Sequence, residues 1–215
     1  MYDPKTRTFF YGDDEAGKIG MLQKENAYYL KFNSEKALYA IDQLKQEYKG
    51  VSLADKCFHY HVYVDLLFEA VGLIYNRFVC TRRNVPANVL KLQQMNRQQY
   101  EFDGARFPLL HDKSFRNFIE HIDERDERLV DSNNYFGTFN MIFSGMDMNT
   151  RKDLLKTDKP QNNLLNLEDM SYTIFESNGG AVSQKTISIL QLETELRDIN
   201  EISNKLWSFL TDSVL

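Results

Sequence analysis

The stretch VYVDLLFEAVGLIYNRFVC, residues 62–80, is the most apolar in the chain, and its reading decides the fold. Asp65, Glu69 and Arg77 interrupt it, which argues against a membrane span and for a helix buried in protein. Ser52 with Asp55 three residues later resembles a capping box, so the helix is expected to start there and run to about Arg82. Phe58, Val62, Leu66, Ala70, Leu73 and Phe78 mark its heaviest stripe, with apolar residues spilling onto other faces. A helix of that kind belongs at the centre of a fold.

Upstream, Ala37, Leu38, Ile41, Leu44 and Tyr48 share one side of a helix expected to begin after Ser34, with Gly50 suited to stop it. The first 33 residues alternate weakly in RTFFYG and NAYYLKF, which predicts one or two short strands. Downstream, Pro86 fits the opening position of a helix through Tyr100. The segment EFDGARFP breaks the pattern, Asp112 can cap a further helix, and DSNN ends it.

Beyond residue 131, YFGTFNMIF reads as a strand and MNTRKDLL as a short helix, followed by the polar loop KTDKPQNN. SYTIFES, Asn178-Gly179-Gly180 and AVSQKTIS read as a β-hairpin. Leu192, Leu196, Ile199, Ile202, Leu206 and Leu210 make the final segment an amphipathic helix that docks on the bundle or on a partner. The expected fold is mainly α. An irregular or short-strand segment (1–33) precedes an up-and-down helical bundle (34–131), and a small β-hairpin appendage with an amphipathic C-terminal helix (132–215) packs on that core, all in one domain.

A length of 215 residues is enough to bury a real core, and 42% hydrophobic with 27% charged residues is the composition of a soluble folded chain. Ten Gly and four Pro favour long regular elements over a loop-rich β-sandwich. A net charge of −5 argues against coating nucleic acid or anionic membrane by bulk electrostatics, though not against a local basic patch. The N-terminal residues lack the apolar core of a signal peptide. Cys57 and Cys80, placed on one helix, would be about 34 Å apart, too far to bridge. A reduced, cytoplasmic protein is expected.

The chemistry-bearing stretch is SFRNFIEHIDERDER, residues 114–128. On a helix, Phe115, Phe118, Ile119, Ile122 and Leu129 form a core stripe, while Arg116, Asn117, Glu120, His121 and Glu124 look outward. Arg116 and His121 point about 140° apart, so they do not meet tip to tip on an intact helix. Two readings follow from the residues alone. One is a solvated face laced with i,i+4 ion pairs, each worth a few tenths of a kcal/mol. The other is a site completed by a second surface, for which another copy across a two-fold is the natural candidate.

Arg116-Asn117, three residues and His121 resemble the signature of the HEPN superfamily (higher eukaryotes and prokaryotes nucleotide-binding domains): an Arg, four to six residues and a His, with a polar residue favoured after the Arg. The resemblance covers roughly residues 34 to 131 and implies a helical bundle with its motif on a late helix. It also implies a homodimer whose two motifs face one cleft and, in active members, a metal-independent endoribonuclease of a defence or toxin–antitoxin type with no cofactor. RNA is then the substrate and an antitoxin-like protein a further partner. His121 would be the general acid/base, Arg116 the phosphate stabiliser, and Asn117 the group that orients either. The alternative is a non-catalytic helical interaction or scaffold protein.

Residues 112–131 carry seven acids and four bases, a net charge of −3 that repels phosphate unless another element compensates. Between Ala70 and Tyr100 there is no acid, while Arg77, Arg82, Arg83, Lys91 and Arg97 supply five positive charges. That cluster is a candidate phosphate-binding patch; Arg82 and Arg83 are equally what compensation of a helix dipole would place at a C-terminus. His59 and His61 point in different directions on a helix. His61 with Asp65 has i,i+4 spacing without an evident third ligand, so no metal site is expected and a structural hydrogen bond is.

Overall fold

The computed structural model describes residues 2–3, 8–9, 15–79, 87–113, 139–155, 163–178 and 181–212. The chain is mainly helical with a small four-stranded sheet. In order come β1 (Tyr2–Asp3), β2 (Thr8–Phe9), α1 (Glu15–Leu44), α2 (Leu53–Phe78), α3 (Ala87–Tyr100), β3 (Asn140–Ile142), α4 (Met148–Leu154), β4 (Leu164–Asn166), β5 (Ser171–Asn178), β6 (Ala181–Ser188) and α5 (Ile189–Asp212).

The largest departure from expectation is α1. It starts at Glu15 rather than after Ser34, so NAYYLKF is helix, and among the described residues β1 and β2 are the strands that precede it. Ala27, Leu30, Ala37, Ile41 and Leu44 are buried at helical spacing, a period that a seven-residue alternation conceals. Ser34 is no N-cap. Its hydroxyl donates 2.8 Å to the Lys31 carbonyl and accepts from Asn200 Nδ2 at 3.0 Å, while Asn33 Nδ2 donates to the Tyr29 carbonyl. These polar side chains answer to their own helix and to α5. Gly50, at φ 74°, belongs to the turn before α2, six residues past the end of α1.

Ser52 caps α2 as its spacing to Asp55 predicts: Ser52 Oγ accepts from the Asp55 amide at 3.1 Å and donates to Asp55 Oδ2 at 2.6 Å. The buried face, however, is Tyr60, Val64, Leu67, Phe68, Val71, Ile74 and Phe78. Phe58 (66% exposed) and Val62 (44%) lie outside it, because the apolar residues on several faces of α2 make its heaviest stripe a poor guide to direction. By length and hydropathy α2 could cross a membrane, but its packing is that of a core helix.

At the far end of α2, side chains of α3 satisfy its last carbonyls. Gln93 Nε2 donates to the Asn76 carbonyl at 3.2 Å and Asn96 Nδ2 to the Arg77 carbonyl at 3.0 Å. Phe78 stacks on Phe102 at 3.9 Å and meets Tyr100 edge-on, which closes the core over this junction.

In the sheet the strand order is β3-β4-β5-β6, with β3 parallel to β4 and the other pairs antiparallel. Tyr172 pairs with Ile187 in register, and the Tyr172 ring packs 4.9 Å from Phe68 of α2. The Ile189 amide donates to the Met170 carbonyl at 2.8 Å, so β6 passes into α5 without a loop. Leu192, Leu196 and Ile199 then bury against the core, as the amphipathic pattern predicts.

Candidate functional site

Arg116, Asn117 and His121 lie outside the described residues, as do Arg82 and Arg83. What the structure does define is the chain leading to them. Glu101 takes a positive φ of 49°, and Asp103 Oδ1 accepts the Ala105 and Arg106 amides at 2.8 Å. Those two amides hold the Asp103 carboxyl below its ordinary value. Phe102, Phe107 and Leu110 are buried from this turn.

Glu195 of α5 reaches under the same turn. Its carboxylate accepts the Leu109 amide at 3.1 Å and the Leu110 amide at 2.8 Å, and the side chain is almost wholly enclosed. Burial pushes the Glu195 carboxyl up despite those hydrogen bonds. Next, the Asp112 carboxylate receives Lys185 Nζ from β6, and Lys113, the last described residue of this stretch, is helical. The approach to Arg116 is thus held to α5 and β6 before the motif begins.

Three members of the expected basic patch are described. Arg77 is half-buried with its guanidinium 3.6 Å above the Tyr29 ring of α1, a cation–π stack that engages it within the fold. Lys91 and Arg97 are exposed on α3, at positions about 120° apart around the helix. Asn96 Nδ2 bonds the Arg77 carbonyl and so ties α3 to the end of α2.

The histidines among the described residues are engaged with rings. His59 stacks on Tyr48 at 5.3 Å, His61 on Phe139 at 4.8 Å, and His111 tilts against Phe102 at 5.6 Å. His61 Nε2 is 3.6 Å from Asp65 Oδ1, an ion-pair separation rather than the expected hydrogen bond. No group of three metal-ligating side chains occurs among the described residues. The Cys57 thiol is pushed up by burial, away from thiolate chemistry.

One feature escaped the sequence reading. A cleft of about 380 Å³ opens where the end of α1, the start of α2, β3 and the turn before β5 converge. Leu44, Tyr60, Met141, Phe143 and Met170 give it apolar walls, and Lys45, Lys56, Glu47 and Glu168 supply the charges around it. Three of these charges are spoken for: Lys45 bonds Glu193 at 2.5 Å, Glu168 bonds Arg151 at 2.5 Å, and Glu47 pairs with Lys49 at 3.3 Å. Burial raises the Tyr48 phenol well above its ordinary value, and the Tyr60 hydroxyl donates to the Gln46 carbonyl at 2.7 Å. The cleft offers shape and apolar contact without a nucleophile paired to a base. Only the convergence of four distant segments creates it, so no local motif announces it. Comparison of the chain with protein-family models, with curated proteins and with solved structures finds no match.

Proposed function

We propose that this chain is a HEPN-like, cytoplasmic helical protein that cleaves RNA without a metal, in a defence or toxin–antitoxin setting. The observation that carries the reading is Arg116-Asn117 followed by His121 in a mainly helical chain. In this reading α1, α2 and α3 are members of an up-and-down bundle, with β5 and β6 as a hairpin appendage. The ribose 2′-hydroxyl attacks the adjacent phosphate, the P–O5′ bond breaks, and a 2′,3′-cyclic phosphate and a 5′-hydroxyl are formed. A histidine near neutral pKa takes the 2′ proton or gives one to the leaving oxygen, which is the role of His121. Arg116 stabilises the charge that develops on the phosphoryl oxygens, and Asn117 orients one of the two.

Two copies supply the facing surface that the pair requires in this reading, and Arg77, Arg82, Arg83, Lys91 and Arg97 are the cations available to offset the acidic sequence of residues 112–131. An antitoxin-like protein is the partner this reading adds. The test is cleavage of single-stranded RNA in chelator by wild type, His121→Ala and Arg116→Ala, with loss expected in both variants. Equal activity in all three, or none in any, rejects the roles.

A second reading, a non-catalytic interaction protein, draws on a different observation. Met21, Tyr28, Phe32 and Tyr39 of α1 are 40–54% exposed, more large apolar surface on one helix than a protein without partners usually shows.

A further inference from the structure

The cleft where α1 and α2 meet the sheet has fixed walls and one base that its acids do not answer. Leu44, Tyr60, Met141, Phe143, Leu167 and Met170 form the apolar lining. The Tyr60 hydroxyl donates to the Gln46 carbonyl at 2.7 Å, which holds its ring in place on the helical side. On the sheet side the Leu167 amide donates to the Ile142 carbonyl at 2.9 Å, and Met141 pairs in register with Leu165. Met141 and Met170 are buried, so these walls are part of the core and stand ready before any ligand arrives.

Each acid on the lining already has a base. Glu168 is held by Arg151 at 2.5 Å, and Glu47, its side chain 76% exposed, stands in solvent beside Lys49. Lys45 bonds Glu193, a carboxylate that Arg197 also bonds at 2.7 Å. Asp55, the acid next to Lys56 in the chain, is bonded to Ser52 in the α2 cap. Lys56 is half-buried on the lining and has no acidic partner among the described residues.

We propose that this cleft binds a small aromatic carboxylate, its ring against Met141, Met170 and Phe143 and its carboxylate on Lys56 Nζ. A volume of about 380 Å³ corresponds to roughly a dozen units of the ~30 Å³ that a water occupies, which suits a ligand of about eleven non-hydrogen atoms. Methionine sulfur contacts aromatic rings favourably and the side chain adapts to them, which favours a ring over an alkyl chain. The Lys56 ammonium, on its flexible stem, meets a carboxylate as a point charge. The Ser144 hydroxyl and the Gln46 amide also line the cleft and are further donors there. The inference concerns binding alone and does not depend on the ribonuclease reading.

The test uses the full chain with isotope-labelled methionine methyl groups and three probes that share one body: 3-phenylpropionate, 3-phenylpropan-1-ol and 3-phenylpropylamine. The carboxylate is expected to bind with a Kd of about 0.1–1 mM, roughly five-fold tighter than the alcohol, with the amine weakest. Octanoate, of similar size, is expected to bind less tightly than 3-phenylpropionate. Ring-current shifts should appear at the Met141 and Met170 methyls, assigned with Met141→Leu and Met170→Leu, and not at Met21, Met95 or Met148. Lys56→Met should bring the carboxylate down to the affinity of the alcohol, while the alcohol's own affinity and the far-UV circular dichroism hold. Absence of binding at ten times the expected Kd, an alcohol or amine that matches the carboxylate, or preference for octanoate overturns the proposal. So do unmoved Met141 and Met170 signals, or a carboxylate affinity indifferent to Lys56→Met.

Discussion

The Tyr100 hydroxyl lies 3.0 Å from the Ser203 hydroxyl, both residues are buried, and the pair joins the end of α3 to α5. Burial pushes the Tyr100 phenol up to about 12, so it is a neutral hydrogen-bonding group at any pH the fold meets. Replacing Tyr100 with Phe leaves Ser203 enclosed without this partner and is expected to cost about 1–2 kcal/mol. Adding Ser203→Ala to Tyr100→Phe should recover part of that loss. Denaturant melts of the two single variants and the double complete the cycle, and additive losses would show that the two hydroxyls act independently.

Glu195 is the clamp beneath the turn that leads toward Arg116 in the sequence. Glu195→Ala strands the Leu109 and Leu110 amides and should cost about 1–3 kcal/mol. Glu195→Gln keeps an acceptor and should cost less. Amide hydrogen exchange at Leu109 and Leu110 should quicken more than at the α2 core in the alanine variant, and uniform quickening would contradict a local clamp.

Glu193 and Glu195, neighbours along α5, respond to pH in opposite senses. Burial raises the Glu193 carboxyl, but hydrogen bonds and charge from Lys45 and Arg197 outweigh it and hold the group below its ordinary 4.5. Its stabilisation is therefore full above about 4.5 and is lost as pH falls through the lower folded value. Glu195, raised by burial, contributes stability that is full below 4.5 and is lost as pH rises through its folded value. Glu193→Gln should flatten the acid limb of a stability–pH curve. An acid limb unchanged by that substitution would contradict the assignment.

The Ser52 cap is a local prediction with a local answer. Ser52→Ala removes the acceptor of the Asp55 amide and should destabilise by about 1 kcal/mol, read as a lower urea midpoint at unchanged slope.

The parts of the fold that announced themselves are those whose signals are local. Ser52 and Asp55 define a helix start within four residues, SYTIFES and AVSQKTIS are short runs rich in β-branched and aromatic residues on either side of Asn178-Gly179-Gly180, and Leu192, Leu196 and Ile199 repeat without interruption. α1 was half-legible because Asn33 and Ser34 look like helix-start residues, whereas their side chains bond the Tyr29 and Lys31 carbonyls inside a continuing helix. Beginning the helix at Ser34 also cut the outward stripe of Met21, Tyr28, Phe32 and Tyr39 in two. β4 was missed because LLN is too short to carry a period. Of the candidate site, the sequence supplies Arg116, Asn117 and His121 and the structure supplies only what leads to them. The cleft beside Tyr60 arises from contacts between segments far apart in the chain and had no signature to read.

The central claim is that Arg116 and His121 cleave RNA without a metal, and the end chemistry of the products tests it most directly. Uniform single-stranded RNA incubated with wild type in excess chelator should yield 2′,3′-cyclic phosphate and 5′-hydroxyl ends, detected by mass spectrometry. A substrate with 2′-O-methyl riboses should remain whole, and so should RNA incubated with His121→Ala. Intact RNA in the wild-type reaction, 5′-phosphate products, or cleavage that requires a divalent cation would contradict the account.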